Sequence, residues 1–137
     1  MASQRNYPRG TEFPSEAFVQ RAIERHFREL GFNIEDGGHI DLICAHPTTP
    51  ERWHIEAKGL TAAVGLDFRT CLGQLIQRMR DRDTSYGIAL PDLPQYAAQI
   101  SIISSWVIDA LKIHWLLVSP DGSVKITRPN RSPLSDA

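Results

Sequence analysis

The chain has 137 residues, of which 42% are hydrophobic and 23% charged, with a mean hydropathy of −0.27. That length is typical of one domain, and the balance excludes a disordered or fibrous chain. A formal net charge of −1 argues against a polybasic binder but leaves room for a local basic face. No stretch approaches the roughly 20 apolar residues of a membrane span. Met1-Ala2-Ser3-Gln4-Arg5-Asn6 has no apolar run behind it, so a secretion signal is not expected. The two cysteines, Cys44 and Cys71, lack any metal-binding spacing and are expected to be reduced, packed thiols of a cytoplasmic protein.

Residues 1–13 are polar and expected as a flexible arm. Pro14-Ser15-Glu16 predicts a helix start, with Ser15 as N-cap and an acidic residue in the first turn. Val19, Ala22, Ile23, Phe27 and Leu30 then follow at helical spacing, and Gly31 supplies the stop. Phe32-Asn33-Ile34 is a short strand candidate, followed by the turn chemistry of Asp36-Gly37-Gly38. Residues 39–44 alternate, as do residues 53–58, and the Pro-containing loop between them predicts an antiparallel hairpin. A second helix is expected over 67–80, with Leu72, Leu75, Ile76 and Met79 on its apolar face. A strand over 85–90 ends at Pro91. A third helix is expected over 94–111, striped by Tyr96, Ile100, Ile103, Val107 and Leu111. Strands over 113–118 and 124–126 flank the turn Ser119-Pro120-Asp121-Gly122, and residues 128–137 are expected as a flexible tail. The order α-β-β-β-α-β-α-β-β places the chain in the α/β (α+β) class. A single domain over 14–127 is built on one mixed sheet flanked by helices.

The hairpin carries the chemistry. Its first strand sets Ile40, Leu42 and Cys44 on one face and His39, Asp41 and Ile43 on the other; the second sets Trp53, Ile55 and Ala57 against His54, Glu56 and Lys58. Alternating charge on a strand is ordinarily a solvated face. Here the charged residues lie among apolar neighbours, and an aspartate stands at the matching place on the preceding strand. If Asp41 lies opposite Glu56, two carboxylates converge and repel. A hard cation such as Mg²⁺ or Mn²⁺ relieves that repulsion and can polarise a phosphoryl oxygen. Lys58 would then orient the attacking water and hold negative charge as it develops.

Asp41 in GGHIDLI and Glu56-Ala57-Lys58 in HIEAKG resemble the D…(D/E)xK signature of the PD-(D/E)XK nuclease superfamily. Its members include Mrr-type restriction endonucleases and archaeal Holliday-junction resolvases. The resemblance covers roughly residues 15–90. It departs from the common pattern in having His39-Ile40 rather than proline before the aspartate. It implies a restriction-endonuclease-like fold and metal-dependent cleavage of DNA. Asp41 and Glu56 would be metal ligands, the Ala57 backbone carbonyl a third, and Lys58 the catalytic lysine. It also implies a first-helix glutamate, for which Glu16 is preferred over Glu24, and a second-helix glutamine, Gln74.

His39, Gln77, Arg78 and Arg82 are candidate nucleic-acid contacts. A zinc site from His39, His54 and Asp41 is admissible by residue type but follows no zinc spacing. Alternative functions are a catalytically silent DNA-binding or protein-interaction module on the same fold, or an RNA-directed nuclease. Ile102 and Trp106 fall off the main stripe of the third helix. They are expected either to pack on the C-terminal hairpin or to form a homodimer contact.

Overall fold

The computed structural model describes residues 10–35 and 41–130. The elements run α1 (Glu16–Glu29), β1 (Asn33–Glu35), β2 (Asp41–Ala45), β3 (Arg52–Ala57), α2 (Val64–Gln77), β4 (Ser85–Pro91), α3 (Pro94–Ile102), α4 (Ser105–Leu111), β5 (Ile113–Val118) and β6 (Val124–Thr127). The six strands form one sheet in sequence order. β1, β2 and β3 pair antiparallel, β3, β4 and β5 parallel, and β6 returns antiparallel to β5. The expected mixed α/β architecture is the one found. The expected arm and tail fall largely outside the described residues, and His39 and the Asp36-Gly37-Gly38 turn fall wholly outside them.

α1 begins where its cap chemistry dictates: the Ser15 hydroxyl accepts from the Phe18 amide at 3.1 Å. Its stripe of Val19, Ala22, Ile23 and Phe27 packs on Leu42, Cys44, Trp53, Ile55 and Ala57 on one face of the sheet. Gly31 takes φ +92° past the end of α1, a left-handed position that glycine reaches without strain. Central β4 is buried on both faces from Tyr86 to Pro91, as parallel strands covered by helices must be.

Two corrections follow. The second helix runs three residues earlier than expected, over Val64–Gln77. Its buried side is Phe68, Cys71 and Leu75, while Ile76 is 42% exposed. The expected single helix over 94–111 is two helices, because Ile103 leaves the helical region at ψ 129° and Ser104 starts the next helix. The face carrying His54 and Glu56 is packed as well. α2 and α3 cover it with a second core cluster that includes Phe68, Leu75, Tyr96, Ile88 and Trp115.

Candidate active site

β2 and β3 pair with Asp41 opposite Glu56 and Ile43 opposite His54, which is the register that brings the two acidic positions together. Register partners in an antiparallel pair lie on the same face of the sheet. Lys58 continues the ladder just past β3, its amide donating to the Ala89 carbonyl at 3.0 Å.

The backbone beyond Lys58 is pinned from two sides. The Tyr96 hydroxyl donates to the Gly59 carbonyl at 2.7 Å, and the Leu60 amide donates to Pro14 O at 2.9 Å. Burial raises the Tyr96 hydroxyl above its ordinary range, so it stays protonated as a donor. Gly59 packs directly on the start of α1. This contact sets Glu16 beside the strand end, where Glu16 Oε1 lies 3.8 Å from Lys58 Nζ. Glu16 has a raised pKa, chiefly from burial, opposed by Lys58 and reinforced by the charges of Asp67 and Glu56. Glu24, the alternative, instead accepts from Gln20 Nε2 at 3.0 Å on the same helix.

Glu56 is only 2% exposed. The charged face of the hairpin is therefore not a solvated one at this position. A carboxylate so far from water needs charge compensation. Arg78 Nη1 lies 2.5 Å from Glu56 Oε2, and His54 Nε2 lies 3.5 Å from the same oxygen. Arg78, expected at a nucleic-acid surface, is therefore engaged with the site itself. It follows the last turn of α2, which lets its side chain turn back along the sheet.

Gln74, one turn before Arg78, is half-buried, and Gln77 is exposed. Arg82 is exposed and lines a cleft of about 560 Å³ with Arg80, Asp81, Asp83 and Lys112. That cleft includes Ser85, which pairs with Trp53, so it opens toward the end of β3 opposite to Lys58. The structure brings Glu16, His54, Glu56, Lys58 and Arg78 into one neighbourhood, with position 41 in register, and sets Arg82 apart from it. Ala57 turns its side chain into the α1-side core, 3% exposed.

Sequence reasoning missed Asp67 and the contact between His54 and Glu56. Asp67, Cys71, Gln74 and Arg78 recur at steps of four, three and four residues, a helical stripe legible in the sequence. His54 and Glu56 are two apart on a strand, hence on one face.

The donor chemistry fits a hard cation. Glu56 is a buried carboxylate that already draws two nitrogen groups to one oxygen, and its register partner is an aspartate. Among the described residues no group of three or more His, Cys, Asp and Glu side chains could hold a metal. The zinc set cannot be judged on that ground, because His39 and the Asp41 side chain lie outside the described residues.

No protein-family profile matches the chain, and no curated protein sequence matches it. Solved structures that share the fold include the following two. An fdxN element excision controlling factor protein from Anabaena variabilis aligns with TM-score 0.56 and 15% identity, over 82% of this chain and 98% of that one. An XisH family protein from Nostoc punctiforme aligns with TM-score 0.55 and 15% identity over the same shares.

Proposed function

We propose that this chain is a metal-dependent nuclease of the PD-(D/E)XK type that hydrolyses phosphodiester bonds in DNA. The observation that carries the reading is the register of Asp41 against Glu56, with Lys58 two residues on and Glu16 reaching Lys58 from the start of α1. Asp41, Glu56 and the Ala57 carbonyl would hold Mg²⁺ or Mn²⁺. Bound there, a hard divalent cation supplies Lewis acidity to a phosphoryl oxygen and lowers the pKa of water.

Lys58 orients the attacking water and offsets negative charge on the phosphate in the transition state. Glu16, 3.8 Å from the ammonium, positions Lys58. Gln74, one turn before Arg78 on α2, would be the second-helix glutamine of the site. Likeness in fold to a protein named for controlling excision of the fdxN element supports DNA as the polymer.

A second reading is favoured by one contact. The Arg78–Glu56 pair could be a permanent structural ion pair in a catalytically silent DNA-binding module. Incubation with supercoiled plasmid in Mg²⁺, Mn²⁺ or EDTA separates the two, and a structured RNA in parallel tests the RNA-directed alternative. The nuclease reading expects nicking with either metal and none with EDTA. It also expects loss of roughly 100-fold or more in Glu56→Gln and in Lys58→Ala, the scale of removing one charge-stabilising group. Wild-type nicking by either variant would overturn it.

A further inference from the structure

The candidate site carries its own cationic partner. Glu56 is fixed in a strand paired on both sides, with Asp41 and Ile88 as its register neighbours. Arg78 is attached differently. It stands just past the end of α2, and its side chain is 34% exposed. Of the two, the guanidinium is the partner with room to leave. A divalent cation bound through Oε2 and a guanidinium on that same oxygen would stand within a few ångströms of each other. Repulsion between them is strong in a partly dry site.

We infer that Arg78 is a resident counter-ion of Glu56 that yields Oε2 to an incoming divalent cation and then engages a phosphate of the nucleic-acid backbone. This rests on the reading of Glu56 as a metal ligand. A guanidinium suits both tasks, because its planar fork pairs with a carboxylate or a phosphate. Every charge keeps an opposite partner through the exchange: the divalent cation takes over Glu56 together with Asp41, and the released guanidinium meets the anion that the substrate brings. Cation and polyanion binding are then reciprocally coupled, since each relieves the competition that Arg78 offers the other. The chain alone holds the cation weakly, and the DNA-bound chain holds it tightly.

Calorimetric titration of the full chain with Mn²⁺, with and without a short phosphorothioate duplex, tests the exchange. In the wild type, the duplex should tighten Mn²⁺ binding by about tenfold, within the usual range of coupling between sites. Arg78→Gln should bind Mn²⁺ about tenfold more tightly than wild type without duplex, and should lose most of the duplex-dependent gain. A merely structural role predicts the opposite direction, because a destabilised site binds metal less well. Arg78→Lys keeps the charge without the fork, so it tests the same point if the glutamine variant does not fold, and it should fall between the two. If Glu56→Gln abolishes Mn²⁺ binding while both Arg78 variants match wild type, the exchange is wrong and the metal site stands. If the wild type binds no Mn²⁺ either with or without the duplex, both are wrong.

Discussion

Two buried titratable side chains illustrate how this fold accommodates polarity at single residues. Glu56 keeps its charge company by pairing with Arg78 and His54. His114 is handled in the opposite way. Its ring lies 4.7 Å from that of Trp53, centroid to centroid, and Nδ1 is 3.1 Å from the Tyr86 carbonyl. Burial lowers its pKa below the ordinary 6.5, outweighing the Tyr86 contact, which raises it. The folded chain therefore binds the His114 proton less readily than the unfolded chain does. Stability from this group is complete above 6.5 and is lost as pH falls from there toward the lowered folded value. His26, also lowered by burial, adds a change of the same sign. Urea unfolding on either side of pH 6.5 should show a lower midpoint on the acid side. His114→Phe should shrink that drop, though it also loses the Tyr86 contact. An undiminished drop would assign the pH dependence to other groups.

Among the elements, the join between α1 and the end of β3 matters most to the site, and Gly59 makes it. A Cβ at Gly59 would stand 2.2 Å from the Glu16 amide nitrogen and 2.6 Å from the Ser15 carbonyl carbon. Both are backbone atoms, so the helix start itself would have to move, taking Glu16 from Lys58. Gly59→Ala should cost roughly 1–3 kcal/mol in chemical denaturation, as overpacking does. Gly73→Ala is the contrast. Nothing lies within 4 Å of its Cβ position, and on the exposed side of α2 the change should stabilise by roughly 0.5–1 kcal/mol. Equal costs at the two glycines would refute the close-approach argument. α1 was legible because the Ser15 cap and a stripe at 19, 22, 23 and 27 agree. The hairpin was legible because a period of two separates its faces. What covers the second face was not, since alternation tells two faces apart without saying which helix will arrive. The break between α3 and α4 was hidden for a related reason: Ile100, Ile103, Ile108 and Leu111 all pack on the same cluster, so apolar residues continue across the break, with Ile108 taking the place expected for Val107. The pairing of Glu56 with Arg78 was not legible because the two stand 22 residues apart, beyond any local pattern.

At the scale of the whole molecule, the break changes the setting of Ile102 and Trp106. They are not one turn apart on a single helix. Ile102 closes α3 and Trp106 lies in the first turn of α4. The C-terminal hairpin does not cover them, for they are 75% and 71% exposed. Of the two partners expected from the sequence, the second copy of the chain is the one still open. The proposed chemistry supplies a reason for it, since one cation site hydrolyses one strand and a duplex has two. A two-fold pairing would place the same patch on both sides of the axis, and tryptophan is enriched among residues that anchor such contacts. Sedimentation across micromolar concentrations should then show reversible dimerisation. Trp106→Ser should weaken it by at least about 2 kcal/mol, the loss typical of an interface anchor, with the circular dichroism of the monomer unchanged. In the plasmid assay the dimer should give linear product in parallel with nicked circles, and the Trp106→Ser monomer nicked circles first. A wild type that stays monomeric throughout, or a dimer indifferent to Trp106→Ser, would leave this patch without that role.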